Sequence, residues 1–412
     1  MLKSIAIENY RSCLKTSIEF HPRLSVLIGP NGSGKTNVLQ AVMLLHKLAI
    51  DEGFGRVRKD TAAVASRIKA VFQQSQIGIR LNATIAASTD ESNQDLVSFT
   101  TQRWTFRDKG GKQASFEIPL GFGLRFGFEA MPHGYFRYQT LRGLRFVNVE
   151  SEMPQWTRKP LAKIANYCSG IRYYGASQFT NPGTAPASFQ IEEQEGLRRR
   201  LRPTRFRGHE KVLYAMYLAA QAESDRYAQF LDIVGRHGLR LVDEIKFREV
   251  KTSSADYSVR VGGKVERRKR NRILVIPQFR IGKQKLSPNQ LSEGTFKTLS
   301  LLFHVITDEG TLLLIEEPEV CVHHGLLSSI LELIKSSSRH KQMILSTHSD
   351  YVLDHVKPEN VYTVTFDKLA GTVVRNVPRS MTKREYNALR EYLSREGNLG
   401  EFWREGGLGD RP

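Results

Sequence analysis

The chain has 412 residues, room for two or three domains, and 40% of them are hydrophobic, enough for a sizeable core. No apolar run approaches the ~20 residues that cross a bilayer, and no basic-then-apolar leader opens the chain, so a soluble, cytoplasmic protein without membrane contact is expected. Lys and Arg total 61 against 42 Asp and Glu, a net charge of +19, which favours polyanionic partners, nucleic acid above all, over an acidic protein partner.

Residues 2–28 read as two short strands and then a buried one. Ile5 and Ile7 share a face, as do Ile18 and Phe20, and 24–28 is an apolar run. Between the first two strands, Asn9-Tyr10-Arg11-Ser12 makes a turn from which Arg11 can reach a bound phosphate; a plain surface turn is the alternative. Gly29-Pro30-Asn31-Gly32-Ser33-Gly34-Lys35-Thr36 follows, the complete spacing G-x-x-x-x-G-K-T. Gly29, Gly32 and Gly34 are expected to take positive φ and to bring the backbone close to a ligand. Amide N–H groups then converge on phosphate oxygens at the start of a helix expected over 37–48. Lys35 sets a point charge against the outer phosphates, and Thr36 offers its hydroxyl to Mg²⁺.

From 66 to 150 the pattern is strand-like, at 77–81, 96–99, 116–118 and 143–147, and predicts an antiparallel lobe. Residues 171–176 read as another core strand. Over 190–240 Arg, Glu, Ala and Leu take helical spacing, and 241–285 returns to strand-like segments around a charged loop. Residues 286–375 alternate helix, strand, helix, strand, which implies α/β organisation with a parallel sheet. The expected domains are 1–180, 181–285 and 286–412. Cys13, Cys168 and Cys321 are far apart and odd in number, so they carry no disulfide or zinc pattern.

The last of these segments holds three polar clusters. In Thr311-Leu-Leu-Leu-Ile-Glu-Glu-Pro-Glu319 a buried strand delivers two acids to its C-terminal end, where α/β proteins bind ligands. Glu316 is placed to hold Mg²⁺ through water, and Glu317 to orient or deprotonate an attacking water. In Leu291-Ser-Glu-Gly-Thr295, Ser292 caps a helix over 296–305, and Ser292 with Gly294 makes a second anion site. Since the P-loop already holds the phosphates, that second site implies a second subunit closing over the first nucleotide. In Met343-Ile-Leu-Ser-Thr-His348-Ser-Asp350 a strand ends at His348, which can hydrogen-bond a terminal phosphate or the attacking water.

Two basic runs stand apart from these motifs. Arg198, Arg199, Arg200, Arg202, Arg205 and Arg207 form one, with Phe206 able to stack on a base; Arg267, Arg268, Lys269 and Arg270 form the other. Both are candidate nucleic-acid contacts, with a solvated loop or an acidic partner's dock as the alternative. Residues 384–396 have helical spacing, and Phe402 and Trp403 beyond them either pack on the chain's own core or anchor a partner. His323 and His324 lack companion ligands at metal spacing and read as part of a loop facing the dimer partner.

In their order, the P-loop, LSEGT, LLLIEEPE and STHSD resemble the ABC-type ATPases. "GPNGSGKTNVLQAV" with its Asn37, "IENYRS", "IEEPE" and "STHSDYVL" resemble the RecF, SMC and OLD-like branch rather than transporters. "LSEGTFKTLSLL" resembles that branch's divergent signature and lacks a transporter's second Gly and Gln. The resemblance covers the chain ends well and 150–285 only by layout. It implies an α/β fold, an ABC-type P-loop NTPase head with an antiparallel β lobe and an inserted, mostly helical middle region. It implies ATP and Mg²⁺ as cofactors and a homodimer or higher even oligomer. Gly29 to Thr36 with Asn37, Arg11, Glu316, Glu317 and His348 of one subunit, and Ser292 and Gly294 of the other, would enclose the nucleotide. Lys35, Glu317 and His348 would be catalytic, and Thr36 and Glu316 would hold the metal. Many relatives carry Asp at the position of Glu316. Gln73, Gln74 and Gln76 are equal candidates for the branch's glutamine loop. Nothing after residue 350 resembles the nuclease domain of full-length OLD proteins, so any nuclease is expected in another chain. Within the branch the chain looks like the stand-alone ATPases of prokaryotic defence operons (Septu, PARIS and retron-associated systems), which pair with a separate nuclease or toxin. A RecF-like repair ATPase and an ATP-gated scaffold that sequesters an effector are the alternatives.

Overall fold

In the computed structural model the apolar runs of the sequence become the inner strands of a mixed sheet. Described are residues 1–50, 65–89, 95–118, 135–140, 143–148, 154–179, 181–193, 208–259, 265–320, 322, 324–395 and 397–408. In chain order the elements are β1 (Leu2–Tyr10), β2 (Cys13–Glu19), β3 (Leu24–Ile28), α1 (Lys35–Ile50), β4 (Ser66–Gln74), β5 (Ile77–Thr89), β6 (Asp95–Arg107), β7 (Gln113–Ile118), β8 (Tyr135–Thr140), β9 (Gly143–Asn148), α2 (Gln155–Ser169) and β10 (Ile171–Gly175). Then come β11 (Phe189–Glu193), α3 (Gly208–Gln221), α4 (Asp225–Val234), β12 (Glu244–Val259), β13 (Val265–Ile281), β14 (Gln284–Leu286) and α5 (Glu293–Thr307). The chain continues with β15 (Leu312–Glu316), α6 (His324–Ser337), β16 (Gln342–Thr347), α7 (Asp350–Leu353), β17 (Val361–Asp367), β18 (Gly371–Asn376), α8 (Val377–Ser380), α9 (Lys383–Arg395) and α10 (Leu399–Arg404).

These elements fall into two compact units. The first comprises Met1–Tyr173, Glu309–Glu317 and Leu331–Pro412; the second comprises Tyr174–Asp308 and Pro318–Ile330. In the first unit one six-stranded sheet has the order β2-β1-β4-β5-β6-β7, and its strand pairs are antiparallel. Its β4 to β7 come from the strand-like stretch 66–150, whose last two strands, β8 and β9, pair with each other in a two-stranded antiparallel sheet of their own. The other sheet has the order β10-β15-β16-β3-β17-β18. Here β15, β16, β3 and β17 run parallel. Every residue of β3 and β16 is buried, which is why these strands read as continuous rather than alternating runs. Helix α1 packs against both β1 and β16, so it is apolar on more than one face: Val38, Leu39, Val42, Leu44, Leu45 and Leu48 are all buried.

Helix α2 carries Pro160 in its interior, which reads as a breaker in the sequence and hides the helix. It is buried nonetheless through Leu161, Ile164, Ala165 and Cys168. Tertiary burial outweighs local propensity there. Gln342 joins the two sheets. Its amide donates to the carbonyls of Leu2 and His21 at 2.9 and 3.1 Å and accepts from the Leu2 N–H and the Tyr167 hydroxyl at 3.2 and 2.6 Å. Cys13 and Cys168 are buried, and burial pushes both thiols up, so neither is poised as a nucleophile. Cys321 lies outside the described residues.

In the second unit α3 and α4 are the helical part expected of the middle region. Its strand-like end is larger than expected, because β12 and β13 run for 16 and 17 residues. The basic run 267–270 is not in a loop. Its backbone is paired in β13, with Arg267, Arg268, Lys269 and Arg270 opposite Tyr257, Asp256, Ala255 and Ser254 of β12. The alternating run from Ile273 to Phe279, buried at Ile273, Val275 and Phe279, carries the strand and the basic residues extend it. Residues 198–207, with the other basic run, lie outside the described residues. Helix α5 packs against α4, where Phe303 meets Phe230 edge-on at 5.5 Å between ring centroids.

At the chain's end Trp403 is buried, and Phe402 lies half-buried beside the Tyr392 ring. No helix among the described residues is long and apolar enough to cross a membrane. Gln342→Leu is expected to cost the first unit about 3 kcal/mol or more, because it strands several buried polar groups at once; urea denaturation of the full chain reads it, and an unchanged midpoint would show that those groups find other partners.

Candidate functional site

Three parallel strands end at the same edge of their sheet. Ile28 pairs with Thr347, and Ser346 with Glu316. The P-loop, the acid pair and His348 follow directly, so the register brings them side by side. The P-loop turns from β3 into α1. Gly32 and Gly34 have φ of +78° and +101°. Gly29 does not take positive φ, contrary to expectation; it is needed because an added Cβ would lie 2.1 Å from the Val364 carbonyl oxygen. A Cβ on Gly34 would lie 1.9 Å from Thr372 Oγ1.

Lys35 is almost fully buried, and its Nζ donates to the carbonyls of Gly29 and Pro30 at 2.8 and 3.0 Å. Pro30 and Asn31 form the exposed tip of the loop. The Thr36 hydroxyl donates to Glu316 Oε1. The Tyr173 hydroxyl donates to the other oxygen, Oε2. Burial and that carboxylate push the Tyr173 phenol well above the usual tyrosine range, so it stays a donor. Glu317 follows with φ of 48°, a left-handed backbone that is uncommon outside glycine and costs about 1–3 kcal/mol. Its N–H donates to Ser346 O at 2.9 Å, one step beyond the ladder. Its Oε1 lies 3.6 Å from His348 Nδ1. The two adjacent acids thus have different neighbours: hydroxyls for Glu316, an imidazole for Glu317.

Arg11 and Asn37 meet as well. Arg11 Nη1 donates to Asn37 Oδ1 at 3.4 Å, and Asn37 Nδ2 donates to Ser12 Oγ at 2.6 Å. Ser12 Oγ lies 2.7 Å from Thr372 Oγ1, which donates to the Ser33 carbonyl at 3.1 Å. One directional chain of hydrogen bonds therefore runs from the β1–β2 turn through β18 to the P-loop, each hydroxyl taking one hydrogen and giving one. Thr372 had no signal in the sequence: a single Thr in a hairpin strand is unremarkable, and only the tertiary contact singles it out.

Gln73, Gln74 and Gln76 are at the Met1 end of the antiparallel sheet, where Gln73 N–H donates to Met1 O. The length of β1 separates that end from the Arg11 turn, roughly 25 Å at strand rise. Ser292 and Gly294 belong to the second unit. Ser292 caps α5 as expected, accepting from Thr295 N–H at 3.2 Å, and Gly294 is in the first turn. The buried Lys297 pairs with Glu293 at 2.7 Å one turn earlier and fixes that turn. His323 lies outside the described residues, His324 opens α6, and no group of three or more metal-ligating side chains occurs among the described residues.

The donor set suits a nucleotide with Mg²⁺. A hydroxyl and a carboxylate, both hard oxygen donors, meet at the end of the phosphate loop. Ser33 Oγ within that loop is buried with no hydrogen-bond partner among the described residues. A family model described as "AAA ATPase domain" matches residues 1–112, and one described as "AAA domain, putative AbiEii toxin, Type IV TA system" matches residues 185–354. The chain itself has an α/β fold in which the P-loop joins a buried parallel strand, β3, to α1. It is 30% identical over 88 residues to a DNA replication and repair protein RecF of Alkaliphilus oremlandii, covering 20% of this chain and 24% of that protein. It is 52% identical over 44 residues to a DNA double-strand break repair Rad50 ATPase of Methanopyrus kandleri, covering 11% of this chain and 5% of that one. The chain thus spans a quarter or less of the length of these relatives. Among solved structures, the SMC head domain from Thermotoga maritima aligns over 91% of this chain and 98% of its own at a TM-score of 0.39 and 12% identity. An SMC head bound to the C-terminal winged-helix domain of ScpA aligns over 91% and 96% at 0.43 and 14%.

Thr372→Val, which keeps the shape and removes the hydroxyl, is expected to weaken nucleotide affinity about tenfold, while Thr372→Ser holds it near wild type; equilibrium titration with a fluorescent ATP analogue measures both.

Proposed function

We propose that this chain binds and hydrolyses ATP as one half of an ABC-type dimer, and that the dimer is the sensor or scaffold subunit of an anti-phage defence complex controlling a separate nuclease or toxin. The observation that carries the ATPase reading is the meeting of Thr36 with Glu316 at the P-loop, with Glu317 beside His348. In this reading Gly29 to Thr36 cradle the phosphates, and Lys35 gives up its loop carbonyls to oppose their charge. Thr36 and Glu316 would hold Mg²⁺, whose charge would offset that developing on the phosphates. Glu317 accepts a proton from the attacking water, and His348 orients that water or the terminal phosphate. Arg11, fixed through Asn37, lends a further positive charge. Ser292 and Gly294 of a second copy cap the terminal phosphate, so ATP closes the dimer and hydrolysis releases it.

The defence role is supported by the toxin–antitoxin description of the model matching residues 185–354. A repair role like that of RecF is favoured by the matches to RecF proteins. In either role the basic residues 198–207 and 267–270 are the proposed nucleic-acid contacts, cytoplasmic and salt-sensitive. Glu317→Gln is expected to keep ATP affinity and lower turnover at least about hundredfold, trapping an ATP-dependent dimer that light scattering weighs. Turnover that survives the substitution would remove Glu317 from the mechanism. Copurification with the neighbouring gene product separates the roles: an even number of ATPase chains with a second protein attached supports the defence complex, and a bare dimer that retains DNA only with ATP supports repair. Charge reversal at Arg198, Arg199 and Arg200 is expected to weaken DNA binding and flatten its salt dependence; unchanged binding would remove that run as a contact.

A further inference from the structure

Glu316 bridges two surroundings. Its Oε1 meets the hydroxyl of Thr36, an exposed residue on the nucleotide side, and its Oε2 meets the hydroxyl of the part-buried Tyr173 on the side of the protein interior. A glutamate has one more rotatable bond than an aspartate, and a carboxylate held at a single oxygen can swing about that contact. Hydroxyls on different oxygens fix both the reach and the plane of the group. Thr36, Glu316 and Tyr173 therefore form one hydrogen-bonded line that links α1, β15 and β10 at one point, the three residues all within the first unit.

We propose that Tyr173 is a positioning residue for the metal site: it anchors one oxygen of Glu316 so that the other is presented toward the Mg²⁺ that accompanies the nucleotide. This rests on the ATP·Mg²⁺ reading of the site. Partners behind a metal-site carboxylate orient it, and their loss typically weakens metal binding without removing the site.

The test is a MgCl₂ titration of fluorescent ATP analogue binding to the full chain, with a parallel series in EDTA. Tyr173→Phe is expected to raise the Mg²⁺ half-saturation about tenfold and to leave the affinity in EDTA within about twofold. In a Glu316→Asp background, Tyr173→Phe is expected to add less than about twofold, because the shorter acid no longer reaches the phenol and the two changes are not additive. Mn²⁺ binding followed by electron paramagnetic resonance gives the same ranking without catalysis. A Tyr173→Phe half-saturation within about twofold of wild type, or an equal loss with and without Mg²⁺, overturns the assignment. If Tyr173→Phe does not fold, an unshifted half-saturation in Glu316→Asp alone, where the shorter acid leaves the phenol, overturns it. If wild-type binding is itself indifferent to Mg²⁺, the ATP·Mg²⁺ reading falls and the assignment with it; Mg²⁺-dependent wild-type binding beside an unaffected Tyr173→Phe removes the assignment alone.

Discussion

Everything at this site depends on the parallel register of β3, β16 and β15. Strands buried on both faces cannot shift by one residue without turning a polar end into the core. Glu316 is the sharpest case, because four buried apolar residues precede it and a slip inward would place a carboxylate among them. The same constraint fixes where β3 hands over to the P-loop and where β16 hands over to His348. Chemistry that needs several groups within a few ångströms is thus assembled by backbone pairing, before any side chain chooses a partner.

The acid pair shows how little local structure is needed to divide labour between identical residues. Glu316 ends the strand in extended geometry and stays against hydroxyls. Glu317 adopts a left-handed backbone and meets the His348 imidazole. Strain of this kind persists only where surrounding contacts over-determine it; here the Glu317 N–H bonded to Ser346 O is one such contact.

Much of this was legible in the residues alone. The P-loop, the acids, His348 and the capped helix of Ser292 announce themselves because spacing and residue type carry their chemistry, and buried parallel strands announce themselves as unbroken apolar runs. Thr372 and Tyr173 do not. Each is an ordinary residue in an ordinary strand, and its significance comes from a neighbour far off in sequence, as with Tyr173 and Glu316. Helix α2 was hidden by Pro160, whose local penalty is real but smaller than the gain from burying that face. The basic run 267–270 read as a loop because charge runs favour solvent; ladder pairing along β12 overrides that preference. Gly29 was assigned a left-handed backbone by analogy with its neighbours, whereas it is a close approach to Val364 that excludes a side chain there.

The hydrogen bond between Thr372 and the Ser33 carbonyl has a consequence for how the protein comes into being. Thr372 follows Ser33 by 339 positions, and Gln342 ties Leu2 to β16 across 340. Contacts of that separation form late and carry a high loop-closure cost. A nascent chain therefore holds its phosphate loop without this buttress until synthesis has passed residue 372, and a product cut short before it would carry every P-loop residue and still lack the contact.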